Sequence, residues 1–215
     1  MIAARLQALR KELPSGVSLV AVSKFHPTER IREAYDAGQR IFAESRPQEL
    51  FAKQAQLPAD IRWHFIGHLQ TNKLKQVLPY AELVHSVDSR RLLEAIAAWA
   101  GANGRTVDVL LELHLGAEES KQGFSEAEIM AVVRGPLPAS VRIRGLMGMA
   151  TNTEDRAVVE ADFARIEALF LRIQELGLPD FDQLSIGMSG DWPVAVRHGA
   201  TLVRIGTDIF GPREY

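Results

Sequence analysis

The chain has 215 residues, of which 47% are hydrophobic and 24% charged, so it can bury a sizeable core and is too apolar to be disordered. Its 25 basic and 27 acidic residues give a net charge of −2, which argues against a nucleic-acid partner because nucleic-acid binders carry an excess of basic residues. The absence of cysteine excludes disulfides, thiolate metal sites and cysteine nucleophiles.

The N-terminal segment, residues 1–14, is predicted to form an amphipathic helix, since Leu6 and Leu9 recur at helical spacing among charged residues. It lacks the apolar core of a secretory signal. The longest stretch without Asp, Glu, Lys or Arg runs from Leu13 to Ser23, 11 residues, whereas a membrane-spanning helix needs roughly 20. We therefore expect a cytoplasmic protein with no membrane partner.

Eight short runs rich in apolar and β-branched residues predict eight strands, separated by segments of helical period. The predicted strands are residues 18–24, 40–45, 62–68, 83–88, 107–115, 141–150, 181–189 and 202–210. Two of the predicted helices run from Ser89, which can cap its helix, to Gly104 and from Asp155 to Leu176. Alternating strands and helices fit either an open doubly wound sheet or a closed barrel, and a count of eight favours the barrel. We predict a single-domain α/β protein, a (β/α)₈ TIM barrel over residues 1–215.

Lys24 is the first candidate functional residue, because catalytic groups of such barrels lie where the strands end. The chain has six lysines, and only Lys24 follows an apolar strand, whereas Lys11, Lys53, Lys73, Lys75 and Lys121 lie in polar helical or loop contexts. An amine among apolar neighbours loses hydration, so its pKa falls and a nucleophilic neutral fraction arises. Lys24 is thus a candidate for a Schiff base, and a lysine that merely extends into solvent is the alternative.

The loops after the last two strands resemble phosphate-binding loops, which barrels of this kind build at that position. The first reads Gly187-Met188-Ser189-Gly190 before a short helix that begins near Asp191, and the second reads Arg204-Ile205-Gly206-Thr207. Glycines let the backbone approach an anion, and hydroxyls add donors. With Lys24, these loops suggest an aldehyde or ketone that carries a phosphate, which fits both pyridoxal phosphate and sugar phosphates.

Six sequence blocks, in matching order over nearly the whole chain, closely resemble the pyridoxal-phosphate homeostasis protein family. They are Ala21-Val22-Ser23-Lys24, Phe65-Ile66-Gly67-His68-Leu69-Gln70-Thr71-Asn72-Lys73, Ser120-Lys121-Gln122-Gly123-Phe124, Arg144-Gly145-Leu146-Met147, Leu184-Ser185-Ile186-Gly187-Met188-Ser189 and Val203-Arg204-Ile205-Gly206-Thr207. The resemblance implies an alanine-racemase-type barrel without the racemase's second domain. It also implies an intracellular role in which pyridoxal 5'-phosphate is held as a Schiff base, without established turnover.

The resemblance assigns roles to individual residues. Lys24 matches the Schiff-base lysine and Ser189 the phosphate-binding serine, while Gly206 and Thr207 match the phosphate loop of strand eight. Arg204 matches an arginine that faces the pyridine nitrogen, where a fixed cation disfavours protonation and weakens the ring as an electron sink. The full set expected to contact the cofactor is Lys24, Ser45, Met188, Ser189, Arg204, Gly206 and Thr207.

The chain departs from the family pattern in two places. It reads Ala43-Glu44-Ser45 where the family commonly has Gly-Glu-Asn, so a shorter serine replaces an asparagine near the ring. It has His26 where many relatives carry a second lysine, so a transfer role for that amine is excluded. Lys121 remains a candidate for a secondary amine near the site, with an ordinary surface lysine as the alternative.

Two function classes remain open at this point. Racemases of this type use a second base, a tyrosine from their second domain, and of the tyrosines here only Tyr215 has a route to the site. Lack of an opposing base favours a protein that holds the cofactor. We then expect a monomer whose partners are apoenzymes that depend on the cofactor. The alternative is a racemase-like or Schiff-base aldolase enzyme that acts on a small amino acid or a phosphorylated substrate.

Two further motifs receive simple interpretations. A nucleophile elbow would require glycine at position 191, which is Asp191, so Ser189 is not predicted to be a hydrolase nucleophile. His64 and His68 are four residues apart in a segment that reads as strand, with no carboxylate or cysteine partner following. We interpret them as ordinary hydrogen-bonded histidines and expect no metal site.

Overall fold

Eight parallel strands close into a barrel in chain order, β1 to β8, in the computed structural model, which describes residues 1–116 and 122–212. The last strand pairs with the first, with Ala21 aligned to Ile205. The strands are β1 Ser18–Val22, β2 Ile41–Glu44, β3 Arg62–Phe65, β4 Ala81–Val87, β5 Val107–Glu112, β6 Val141–Met147, β7 Gln183–Ser185 and β8 Leu202–Ile205. The predicted TIM barrel is confirmed.

Helices alternate with the strands and surround the barrel. They are α1 Ile2–Glu12, α2 Thr28–Asp36, α3 Pro47–Gln54, α4 Leu74–Val77, α5 Arg90–Ala102, α6 Glu126–Arg134, α7 Arg156–Gln174, α8 Trp192–Arg197 and α9 Thr207–Phe210, with a 3₁₀ turn at Thr71–Lys73. The predicted cap at Ser89 is confirmed, because its side chain accepts a hydrogen bond from the first turn of α5. The side chain of Asp155 caps α7 in the same way. No helix in the described part of the chain is long and apolar enough to cross a membrane.

The core has two layers, as strand alternation requires. Inward-facing side chains fill the barrel, and a larger cluster lies between the strands and the helices. The inner cluster comprises Val20, Ala43, Leu83, Leu110, Met147 and Leu202. The outer cluster includes Phe42, Phe65, Phe163 and Phe210, which are fully buried. Because side chains fill the barrel, a ligand can reach it only at its ends.

The predicted strands are too long at their carboxyl ends. The largest error is in strand eight, which ends at Ile205 rather than at residue 210 because Thr207–Phe210 forms α9. Strand seven likewise ends at Ser185 rather than at residue 189. The segments that follow the strands also bury apolar residues, such as Ile186 and Phe210, so composition does not mark where the hydrogen bonds between strands stop.

Candidate functional site

Barrel closure brings the predicted lysine and the two predicted anion-binding loops to neighbouring strands. β1 pairs with β8, and β8 pairs with β7, so Lys24, Thr207 and Ser189 follow three successive strands at the same end of the barrel. Gly206 lies directly beside the end of β1, where a Cβ atom would come 3.3 Å from the carbonyl oxygen of Val22. The cofactor contacts assigned to these residues stay predictions.

Lys24 lies in a tight turn just beyond β1. The turn is closed by the N–H of His26, which donates to the carbonyl oxygen of Ser23 at 3.1 Å. Phe25 has a φ of 68°, a left-handed conformation that is uncommon for a bulky residue and costs roughly 1–3 kcal/mol. Its N–H donates to Oε2 of Glu49 at 2.9 Å, which helps to hold this conformation. The backbone around Lys24 is therefore fixed by its surroundings.

A buried ion cluster lies behind this turn, around Lys53, which lies on a helix among polar partners as the sequence predicts but is buried. Lys53 is 7% exposed, and its Nζ donates to Oε1 of Glu44 at 2.9 Å, to Oε2 of Glu49 at 2.8 Å and to the carbonyl oxygen of Ser23 at 3.0 Å. The Ser23 hydroxyl donates to Glu44 at 2.6 Å. Burial raises the pKa of Glu44 to about 7, although Lys53 and Ser23 act to lower it. The cluster ties α3 to the backbone that carries Lys24.

The loop after β7 is a compact turn joined to the start of α9. The backbone N–H of Met188 donates to Oδ1 of Asp191 at 2.5 Å. Burial raises the pKa of Asp208, and a hydrogen bond with the Ser189 side chain acts to lower it. Since a carboxylate only accepts, the Ser189 hydroxyl donates to Asp208 when Asp208 is ionised. Ser189 therefore links the two loops that were predicted to bind phosphate.

Arg204 lies inside the barrel and is 4% exposed. Its NH1 donates to the carbonyl oxygen and to the hydroxyl of Ser185, both at 2.7 Å, and NH2 donates to the carbonyl oxygen of Gly148 at 3.0 Å. Burial lowers the pKa of Arg204 to about 10, against the opposing effect of the Asp191 and Glu112 carboxyls. At neutral pH it remains a cation. Within the part of the chain that the structure describes, these bonds use three of its five N–H donors and leave two for a ligand.

Glu112 is a candidate site residue that the sequence analysis missed. It ends β5, is 7% exposed, and lines a cavity of about 230 Å³ that also touches Met188. Burial raises its pKa to about 7, with a further contribution from Asp88, while Arg204 and His68 act to lower it. The sequence analysis missed it because strand five was predicted to run to residue 115, which put Glu112 inside the strand rather than at its end. In the closed strand order β5 is four strands from β1, so Glu112 ends the strand opposite that of Lys24.

Three of the remaining predicted residues lie at the same end of the barrel, and two lie outside the described residues. Ser45 directly follows β2, beside the Lys24 turn, and its carbonyl oxygen would lie 2.0 Å from a Cβ on residue 67, so only glycine fits there. Met188 and Thr207 are exposed at the same end of the barrel. Lys121 and Tyr215 lie outside the described residues.

The two histidines that were weighed as a metal pair have separate partners. His68 lies beyond β3, which ends at Phe65, and its Nδ1 is 3.0 Å from Oδ2 of Asp88. His64 is buried and bonds to His85. Within residues 1–116 and 122–212 no group of three or more histidine, aspartate or glutamate side chains could hold a metal ion.

Comparisons with known proteins identify the class of protein that this barrel represents. The family model of the alanine racemase N-terminal domain matches residues 1–214. A pyridoxal phosphate homeostasis protein of Pseudomonas aeruginosa is 41% identical over 206 residues, which cover 94% of this chain and 87% of the relative. The protein of the same name from Escherichia coli is 37% identical over 94% of this chain and 88% of the relative. The chain belongs to the alanine racemase N-terminal domain family and, within it, to the pyridoxal phosphate homeostasis proteins.

Solved structures agree with this assignment. PipY of Synechococcus elongatus, solved without pyridoxal phosphate, is 41% identical, covers 98% of this chain and 100% of its own, and superposes with a TM-score of 0.92. PipY with pyridoxal phosphate bound has a TM-score of 0.89 over the same shares of the two chains. Alanine racemase from Streptomyces coelicolor is 22% identical with a TM-score of 0.74, and it matches 98% of this chain but only 57% of its own. That likeness shows the shared barrel fold.

Proposed function

We propose that this protein binds pyridoxal 5'-phosphate as a Schiff base on Lys24 and serves intracellular homeostasis of that cofactor in the cytoplasm. The observation that carries the proposal is the convergence of a lysine-bearing turn and two glycine- and hydroxyl-rich loops at the ends of three neighbouring strands. PipY, which is 41% identical, has been solved with pyridoxal phosphate bound. An aldehyde that carries a phosphate is the ligand that this combination of groups recognises.

The residues at this end of the barrel fit the parts of such a ligand. When bound, pyridoxal phosphate supplies an aldehyde that an amine can condense with and a ring that can stabilise negative charge. Lys24 provides the amine, and the Ser189 and Thr207 hydroxyls with the backbone at Gly206 provide donors for the phosphate. Arg204 has two donors left for the ring nitrogen. Met188 and Ser45 are proposed to contact the ring.

Binding a phosphate requires one local rearrangement. The hydroxyl of Ser189 carries a single proton, and it interacts with Asp208. To donate to a phosphate oxygen it must turn away from that carboxylate. Release of Asp208 is therefore part of loading.

The proposed role is to hold the cofactor and pass it on rather than to transform a substrate. A fixed guanidinium at the ring nitrogen disfavours protonation there and so makes the ring a weaker electron sink for carbanion chemistry. The proposal includes transfer to apoenzymes that depend on the cofactor, by a protein that acts as a monomer. The exposed position of Met188 and Thr207 at the open end of the barrel supports transfer, because a bound cofactor would be accessible there.

Reduction of the cofactor-loaded protein tests the proposal directly. Protein incubated with pyridoxal phosphate and freed of excess should be yellow, and borohydride should fix one cofactor per chain. Peptide mapping by mass spectrometry should place the label on Lys24. A protein that stays colourless, or a label spread over exposed lysines such as Lys11 and Lys75, would contradict the proposal.

Glu112 favours the enzyme alternative, because it is a buried carboxyl opposite Lys24 with a pKa raised to about 7, a value suited to general acid or base catalysis. We expect that alanine is not racemised above a blank that contains free cofactor, as measured by chiral chromatography. Turnover above the blank that is lost in both Lys24→Ala and Glu112→Gln would instead assign Glu112 as the second base of an enzyme.

A further inference from the structure

A continuous chain of four buried polar side chains runs through the interior of the barrel. It comprises Arg204 on β8, Ser185 on β7, His85 on β4 and His64 on β3, with exposed fractions of 4%, 0%, 0% and 2%. The Ser185 hydroxyl is 2.7 Å from NH1 of Arg204 and 2.9 Å from Nδ1 of His85. Nε2 of His85 is 2.9 Å from Nδ1 of His64. Three hydrogen bonds therefore join the four side chains across the barrel.

The direction of each bond follows from the chemistry of its groups. A guanidinium only donates, so the Ser185 oxygen accepts from Arg204. The Ser185 hydroxyl then has its own proton to give, and Nδ1 of His85 is the acceptor within reach. An imidazole that accepts at Nδ1 is neutral and carries its proton at Nε2, which donates to Nδ1 of His64. Both rings are thereby set as neutral tautomers with the proton on Nε2.

Burial makes this arrangement stable at neutral pH. The pKa of His64 is lowered to about 4, chiefly by burial, and burial likewise lowers the pKa of His85 well below its ordinary value. The nearby charge of Arg204 also disfavours a second cation at His85. The only fixed positive charge in the chain of side chains is thus that of Arg204, and the other members provide oriented dipoles.

Arg204 depends on this chain for its position. Of its three hydrogen bonds, two go to carbonyl oxygens, of Ser185 and Gly148, and the third goes to the Ser185 hydroxyl. If His85 did not accept the hydroxyl proton, that proton would have to turn toward Arg204 or remain unpaired in the core. Either change costs free energy and weakens the bond that fixes NH1.

We propose that His85 and His64 are positioning residues, which through Ser185 hold Arg204 as a fixed cation at the ring nitrogen of the bound cofactor. The inference rests on the proposed function, because it takes that nitrogen to be the partner of the two remaining Arg204 donors. It goes further by assigning two histidines buried inside the barrel to the control of the cofactor's electronic state.

The test compares His85→Phe with His85→Gln in the cofactor-loaded protein. Phenylalanine cannot accept the Ser185 proton, whereas the glutamine amide can accept from Ser185 with its oxygen and donate to His64 with its nitrogen. We expect His85→Phe to shift the absorption maximum of the bound cofactor and to weaken its binding about tenfold, the cost of one hydrogen bond to a charged group. His85→Gln should keep both properties close to those of the unsubstituted protein.

The tautomeric states of His64 and His85 in the unsubstituted protein provide a second test, which needs neither a variant nor the cofactor. Long-range ¹H–¹⁵N spectra of protein labelled at histidine should show His64 and His85 neutral, with the proton on Nε2, between pH 6 and 8. A proton on Nδ1 of His85, or a folded His85→Phe variant whose cofactor spectrum and affinity are unchanged, would overturn this inference alone. Failure of the unsubstituted protein to take up any cofactor would overturn the proposed function and this inference with it.

Discussion

Replacing Lys24 with alanine should abolish the absorption band of bound pyridoxal phosphate and leave nothing for borohydride to fix. A Schiff base requires an amine, and Lys24 carries the one that follows β1 beside the loops of Gly206 and Ser189. The fold should survive, because Lys24 is only partly buried and the turn around it is held by backbone bonds and by Glu49. Absorption spectra after gel filtration, together with far-ultraviolet circular dichroism, measure both effects.

Two other variants separate loss of the covalent bond from loss of affinity. Lys11→Ala removes an exposed lysine of α1 and should leave the band and the label unchanged. Ser189→Ala should keep the band but weaken cofactor retention about tenfold or more, since one hydrogen bond to a charged phosphate is lost. A band that persists in Lys24→Ala, with the label moved to another lysine such as Lys121, would show that the amine was assigned to the wrong residue.

The order of the strands was predictable from the sequence, whereas their ends were not. Runs of apolar and β-branched residues mark each strand because parallel strands of a barrel are buried on both faces. Apolar residues continue beyond the last hydrogen bond between neighbouring strands. Ile186 and Phe210 are fully buried, yet the first lies in a loop and the second in a helix. Gly206 could have marked the end of β8, but the sequence analysis interpreted it only as part of a phosphate-binding loop.

Prediction of the site succeeded where the signal was local and failed where it was tertiary. Lys24 stands out from its immediate neighbours, whereas Glu112 lies inside the predicted strand of residues 107–115 and ends its strand only in the structure. His85 and Ser185 are 100 residues apart and meet only because the barrel closes, so no spacing rule could join them. Lys53 shares a helix face with Glu49, four residues away, but its contacts with Glu44 and Ser23 depend on how α3 packs behind the strands.

Replacing Lys53 with methionine should lower the free energy of unfolding by about 3 kcal/mol at pH 8.5, because it leaves Glu44 as a buried carboxylate without its cation. The loss should be smaller at pH 6. Glu44 has a folded-state pKa of about 7 against an ordinary value of 4.5, and removal of Lys53 raises the folded-state value further. As the pH falls through 7, Glu44 becomes protonated in both folded proteins, so the difference between them shrinks. Urea unfolding at the two pH values measures it.

Two control variants test whether the buried charge of Glu44 causes the loss of stability in Lys53→Met. Arg165→Met breaks an exposed ion pair with Glu126 and should cost at most about 1 kcal/mol with little dependence on pH. Adding Glu44→Gln to Lys53→Met removes the stranded carboxylate, so stability at pH 8.5 should recover in part. Two results would mean that lost packing of the lysine stem explains the effect. One is an equal loss of unfolding free energy at both pH values, and the other is a double variant that is less stable than Lys53→Met. Because Lys53 also holds the carbonyl of Ser23, Lys53→Met should retain pyridoxal phosphate less well even where it is fully folded.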